Sequence, residues 1–387
     1  ESKLSACFAK NIKKNTDGRI SNVICNSAKM GLIPQRDYFD KDIANSDNTS
    51  GYYIIEHNDF VYNPRKSSDA PYGPISRYAY SDAGIVSPLY LCFRAKGDVD
   101  TNFFEWYFRS SAWHRYIYMT GDSGARHDRV SIKDDDFFSM PIRFPSSIEQ
   151  KKITSFLNAI ERRISSQQLL VDNLKKYKRG LLRNVFDKSI KTANYQKIYW
   201  TEAKLGEICT YRRGSFPQPY GLSVWYDEKN GMPFIQVADV NDNMTINSDT
   251  NRHISDIAKS RSVFIPKGTL IVTLQGTIGR VAITSYDAYI DRTLLIIQNI
   301  SDCVLKEFLM YAIYMKFDIE KQTADGSIIK TITKETFTEF TIHIPPIYEQ
   351  QKIVNLLRSL DQRMGNSKEV LEKLGKMRSS LLQQLFI

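Results

Sequence analysis

The chain has 387 residues, 42% of them hydrophobic and 25% charged, with a formal charge of +10. That length allows two or three domains with cores of their own, and no apolar run approaches the ~20 residues of a membrane helix. Five scattered cysteines (Cys7, Cys25, Cys92, Cys209 and Cys303) form no CxxC pair, which argues against a disulfide framework or a zinc site and predicts reduced thiols in a cytoplasmic protein. Nothing at Glu1 resembles a signal peptide, and the start without Met predicts a trimmed amino terminus.

In chain order, residues 1–145 read as a mixed domain of short alternating strands and Gly/Asn/Asp turns. An apolar strand, Asp59-Phe60-Val61-Tyr62, leads to Gly73-Pro74-Ile75-Ser76-Arg77-Tyr78-Ala79. An aromatic helix follows at Phe103–Phe108, then a Gly124 loop and the strand Val130-Ser131-Ile132. Residues 146–190 are a single predicted helix. Ser146-Ser147-Ile148-Glu149 is a capping box, in which Glu149 reaches back to the cap amide.

Residues 195–345 repeat the first frame. Lys204-Leu205 matches Lys3-Leu4, and Thr269-Leu270-Ile271-Val272 matches the first strand. Gly276-Thr277-Ile278-Gly279-Arg280-Val281-Ala282 matches as G-x-I-x-R-x-A, followed by an aromatic helix at Phe308–Tyr314 and a Gly326 loop. Elsewhere the two domains diverge, as expected if each reads something different. Residues 346–387 form a second long helix, opened by Pro345-Pro346 in place of serine.

The two helical segments are copies. At an offset of 200, residues 140–186 and 340–386 are identical at 13 of 47 positions, where chance gives roughly three. Apolar residues recur every 3.5 positions, the seam of a coiled coil: Ile153, Leu157, Ile160, Ile164, Val171, Leu174 and Leu181, matched by Ile353, Leu357, Leu360, Met364, Leu371, Leu374 and Leu381. Both copies break the seam at Gln167/Ser367 and Lys178/Arg378, which predicts matched polar contacts that fix register. Helices of this length, ~57 Å at 1.5 Å per residue, suit a spacer. The intervening domain favours antiparallel pairing with the domains at opposite ends. The fold class expected is therefore α+β, two mixed globular domains separated by two long antiparallel coiled-coil helices with an internal pseudo-two-fold repeat.

Charge follows the repeat. Residues 149–186 hold nine Lys/Arg against three Asp/Glu, and residues 349–386 hold seven against four. The helices thus carry nearly the whole excess, pointing either to a polyanion or to ordinary solvated faces. No catalytic pattern emerges. Tyr62-Asn63-Pro64-Arg65 lacks the second proline and the aromatic of an adenine methyltransferase turn. No GxxxxGK[ST] or GxGxxG is present, and neither the histidines nor Asp134-Asp135-Asp136 read as a metal site.

The motif P-x-x-x-E-Q-x-x-I opens both helices, as Pro145…Glu149-Gln150…Ile153 and Pro345…Glu349-Gln350…Ile353. With KLGEI at Lys204–Ile208 and GMPFIQVADV at Gly231–Val240, the chain resembles the specificity subunits of Type I restriction–modification systems over nearly its whole length. The resemblance implies a non-catalytic subunit whose two target-recognition domains, 1–145 and 195–345, each read half of a bipartite double-stranded DNA target. Its helices would dock two methyltransferase subunits and, in some systems, restriction subunits. It implies no cofactor on this chain; S-adenosylmethionine, ATP and magnesium would belong to the partners.

Side chains suited to base edges are Arg126, His127 and Arg129 on the Gly124 loop, Lys330 on its counterpart, and Arg65, Lys66, Arg212, Arg213 and Gln275. Each is equally consistent with an ordinary surface residue. Arg77 and Arg280 recur within the shared frame and read rather as fold supports. Three other readings remain open: a coiled-coil scaffold that binds no DNA, an enzyme whose site no motif reveals, and an orphan or decoy specificity subunit.

Overall fold

The computed structural model describes residues 1–38, 49–121, 128–186, 200–323 and 333–386. The chain divides into two compact units, Glu1–Leu169 with Lys368–Ile387, and Leu170–Ser367.

In the first unit, β1 (Phe8–Lys10), β2 (Phe60–Tyr62), β3 (Ile75–Arg77) and β4 (Leu91–Ala95) form an antiparallel sheet in the order β1-β4-β2-β3. Successive strand residues face opposite sides. Phe60 and Tyr62 therefore pack beneath α1 (Thr101–Arg109), while Val61 packs with Ile24, Ile55 and Val86. Burial on both faces explains why β2 is apolar throughout. The Asp100 side chain caps α1, accepting from the Asn102 and Phe103 amides at 3.0 and 3.2 Å. Around Phe8, the rings of Phe60, Phe93 and Phe104 stand edge-on at 5.0–5.4 Å, a preferred aromatic geometry.

The second unit repeats this frame. Here β5 (Thr210–Arg213), β6 (Leu270–Thr273), β7 (Val281–Ile283) and β8 (Leu294–Gln298) take the order β5-β8-β6-β7. Leu270 and Val272 join the core that also holds Phe308, Leu309 and Ile313 of α3 (Lys306–Thr323), and Ile271 joins a separate cluster on the other face. On that face a mixed four-stranded sheet replaces the two strand pairs of the first unit.

Each domain is closed by its own first residues. Ser2–Lys3 pairs with Pro141–Ile142, and Thr201–Lys204 with Thr341–Ile344. The Leu4 and Leu205 amides donate to the Met140 and Phe340 carbonyls at 2.8 and 2.9 Å. These pairings hold the domain start beside the segment that enters each long helix, α2 (Ser147–Phe186) and α4 (Ile347–Leu385).

The repeated motif is an anchor. Gln150 donates to the Pro145 carbonyl at 2.9 Å. Gln350, fully buried, donates to the Pro345 and Cys303 carbonyls and accepts from the Leu305 amide, each at 2.8 Å. The carbonyl of the proline before each helix needs such a partner once it leaves water. The expected capping box forms on its return side: Glu149 accepts from the Ser146 amide at 3.1 Å and hydroxyl at 2.8 Å, and the hydroxyl first, then the amide, hold its carboxyl below the ordinary range.

The seam positions from Ile153 to Leu181 and from Ile353 to Leu381 are buried or half-buried, whereas Leu385, which continues the second seam, is exposed. The outer ones enter domain cores: Ile153, Leu157 and Leu381 with Leu382 and Phe386 in the first unit, Ile353, Leu357 and Leu181 with Leu182 in the second. Leu174 meets Leu360 and Met364. The helices run antiparallel within each unit, and an ion pair sets their register. Arg378 pairs with Glu161 at 2.9 Å in the first unit, and Lys178 with Asp361 at 2.5 Å in the second. In repeat numbering these are one pair of positions, acid at 161/361 and base at 178/378. Lys178 is only 6% exposed, and Asp361 also accepts from the Tyr311 hydroxyl of α3 at 2.9 Å.

Asp361→Ala strands a buried ammonium and is expected to cost about 2–4 kcal/mol, read as a lower melting temperature. Lys178→Met with Asp361→Leu restores most of it. Glu161→Ala, breaking the more exposed pair, costs about 1 kcal/mol or less. Gln350→Ala, which orphans three backbone groups, costs about 2–3 kcal/mol in the same measurement.

Candidate nucleic-acid interface

In the first unit the chain leaves β2 into Asn63–Lys66 and meets a distant loop. The Lys66 amide donates to the Asp128 carbonyl at 2.8 Å, and the Val130 amide to the Pro64 carbonyl at 2.9 Å, setting Arg65 opposite Arg129 across an antiparallel bridge. Val130–Ile132 is thus a bridged segment and not the strand expected from sequence. Asn63 stiffens the turn, accepting from the Arg65 amide at 3.0 Å and donating to the Asn26 carbonyl at 3.1 Å. Gly73 packs on it at φ +81°, where a Cβ would lie 2.0 Å from the Asn63 carbonyl oxygen.

These segments line a cleft of about 740 Å³ that also receives Lys29, Asp69, Tyr38, Tyr52 and Tyr90. Among the described residues lining it, four cations face the single carboxylate of Asp69, and Lys29 lies 3.5 Å from it. Like charges set directly opposite on paired strands are destabilising, so the Arg65–Arg129 juxtaposition suits an anionic or acceptor-rich ligand. The Arg129 Nε is buried with no hydrogen-bond partner among the described residues, the Asp128 carboxylate standing 4.0 Å away.

In the second unit the equivalent end of the sheet carries Arg212, Arg213 and Gln275. Arg213 pairs with Leu295 on β8, which pairs on its other side with Val272, three residues before Gln275. Two strand spacings, ~10 Å, therefore separate the edges that bear them. Gly214 is fixed by packing, since a Cβ there would lie 2.4 Å from the Ile290 and Asp291 carbonyl oxygens. Beside Gln275, the Leu274 amide donates to the Thr293 carbonyl at 3.1 Å, and Gly276 lies against Val237. Those flanking segments add Gln236 and Arg292, which meet Tyr220; none of the three was singled out from sequence. Gln236 donates to the Tyr220 hydroxyl at 2.8 Å, and Arg292 lies 5.7 Å from the Tyr220 ring. Burial, with Asp291 nearby, pushes the Tyr220 phenol up to about 12. Gln236 sits inside the GMPFIQVADV string, the one sequence signal that could have found it.

Of the predicted DNA-facing residues, Arg65, Lys66 and Arg129 come together, as do Arg212, Arg213 and Gln275 at one sheet end. Arg126, His127 and Lys330 lie outside the described residues. Arg77 and Arg280 are fold supports. The Arg77 guanidinium donates to Glu105 of α1 and to Asn58, both at 2.7 Å, and Arg280 donates to the Val240 carbonyl at 2.9 Å while pairing with Asp242. Asp134 pairs with Lys10, and among the described residues no three His, Cys, Asp or Glu converge as metal ligands. Nor is any described helix long and apolar enough to cross a membrane.

The long helices carry two further surface patterns. Lys151, Lys152, Arg162, Arg163, Lys176 and Arg179 of α2 are exposed and make no ion pair among the described residues. Exposed apolar residues recur at matched positions in the two copies: Ile148/Tyr348, Phe156/Leu356 and Tyr177/Met377.

Residues 197–376 match the family model described as the Type I restriction modification DNA specificity domain. A protein of Methanocaldococcus jannaschii named for the type I restriction enzyme MjaX specificity subunit is 22% identical over 272 residues, 67% of this chain and 61% of that protein. The chain spans about three fifths or less of the length of the curated relatives it matches. A chain solved for complex assembly and conformational transition of the type I R-M system superposes with a TM-score of 0.64 at 19% identity, covering 100% of this chain and 96% of the other. The S subunit of a Type-I restriction-modification system from M. genitalium gives 0.56 at 15% identity, covering 100% and 95%. At these identities the structural likeness is one of fold.

Gly214→Ala, forcing a methyl group against two carbonyls, is expected to cost about 1–3 kcal/mol and lower the melting temperature.

Proposed function

We propose that this chain, a homologue of the specificity subunits of Type I restriction–modification systems, is a non-catalytic DNA-reading subunit. Residues 1–145 and 195–345 each read one half of a bipartite duplex target. The paired helices, 146–190 and 346–387, space the two readers and dock two methyltransferase subunits, with restriction subunits as further partners. S-adenosylmethionine, ATP and magnesium would serve those partners.

The observation that carries the reading is duplication with divergence. Both units keep the same sheet order, the same closing pair and the same glutamine-anchored helix, while the loops at the sheet ends differ. Two readers on one frame suit a target in two unequal halves. Cations at the sheet end and along α2 support phosphate binding, which gives affinity and register, while base edges give specificity. The repeated exposed apolar positions support two copies of one partner, because each copy offers the same helical places to it.

Affinity for duplex DNA should fall steeply with salt. Replacing Lys66 and Arg129 together by alanine is expected to reduce the log–log slope by about 1 for each phosphate that is no longer neutralised. Binding that is insensitive to salt in both proteins would refute the DNA reading. Docking is tested by subunit stoichiometry: Phe156→Asp and Leu356→Asp are each expected to remove one methyltransferase subunit from a complex that otherwise holds two.

A further inference from the structure

The shared sheet gives the two readers a common coordinate system. Tyr62 of β2 pairs with Leu91 and Ile75, and Val272 of β6 pairs with Leu295 and Val281. Three residues beyond each lies a residue on the segment leaving the central strand of the same sheet: Arg65 after Tyr62, Gln275 after Val272. The two positions are structurally equivalent although the sequences around them are not alike. Neither side chain has a hydrogen bond or ion pair among the described residues. Arg65 is exposed at the cleft beside Arg129, and Gln275 is half-exposed beside the segments that carry Arg292 and Gln236. The two arginines of the G-x-I-x-R frame, Arg77 and Arg280, are by contrast committed to the fold.

We propose that position 65/275 is a specificity-determining site in each half: Arg65 reads a guanine in the first half-site, and Gln275 an adenine in the second. The inference rests on the DNA-reading proposal and deepens it. Its basis is donor and acceptor count. A guanidinium offers only donors, in a fork that matches the O6 and N7 acceptors of guanine. A carboxamide offers a donor and an acceptor together, matching N7 and the N6 amino group of adenine. Exit from a rigid central strand holds each side chain in a reproducible place, with Gly73 packed on Asn63 in one unit and the Leu274 amide bonded to the Thr293 carbonyl in the other.

The test is selection from a randomised duplex library by the full-length chain in complex with its methyltransferase subunits. Arg65→Gln is expected to change one base of the first half-site from G to A, with preference at that base shifting about tenfold or more, and to leave the second half-site alone. Gln275→Arg makes the reciprocal change in the second half-site only. Wild-type motifs in both variants, or a uniform loss of affinity with a shallower salt slope, would overturn the assignment and make these residues phosphate ligands or bystanders. A wild-type complex that enriches no sequence would instead sink the DNA reading itself. The two reciprocal variants check each other, since a folding defect would weaken both half-sites together.

Discussion

An ammonium group withdrawn from water must be met by a carboxylate, and Lys178 meets Asp361 at 2.5 Å with the Tyr311 hydroxyl on the second oxygen. This requirement sets the register of α2 against α4 in the second unit, because a helix slipped by one turn would leave the charge stranded. The repeat places the mirror pair, Glu161 with Arg378, in the first unit. One bond geometry, written twice in the chain, therefore governs both helix pairings. The register in turn decides which apolar side chains enter which core: Leu157 with Leu382 and Phe386 in one unit, Leu357 with Leu182 in the other. Each core is thus completed by residues from both copies of the helix.

What the two halves keep in common is what physics allows least freedom. Strands β2 and β6 are buried on both faces, and the glutamine in each first helical turn donates to the carbonyl of the proline just before the helix. The strand exits carry no such burden. Arg65 and Gln275 stand three residues beyond matching positions of two like sheets, one side chain offering only donors and the other a donor and an acceptor. The outer layer diverges, with two strand pairs in one unit and a mixed sheet in the other, while the four-stranded sheet order is kept.

Much of this was legible in the sequence. The 200-residue offset, the 3.5-residue seam and the capping box at Glu149 express local periodicity and reappear in the fold; the G-x-I-x-R-x-A match does not, since the ladders set Ile75 opposite Tyr62 but Val281, three positions further along the match, opposite Val272. The seam also predicted that positions 178 and 378 matter to register, although their partners, Asp361 and Glu161, were not named. Those partners lie about as far along the chain as the length of a domain, beyond the reach of any local pattern. The same limit hid the cleft, since Arg65 and Arg129 meet only through backbone bonds between loops distant in sequence. It also hid the anchoring role of Gln350, whose Cys303 and Leu305 partners come from the domain and not from the helix. The strand expected at Val130–Ile132 failed for a related reason: its alternation is that of a segment bridged at single residues, too short for a ladder.

If the two units read DNA as proposed, the target should consist of two unlike half-sites. Expressing the chain with the methyltransferase subunits proposed as its partners and mapping every methylated base in the host DNA tests this most directly. The expected result is a single bipartite motif with two different half-sites and an unread gap of constant length. A contiguous motif, or two half-sites methylated at variable separation, would contradict it.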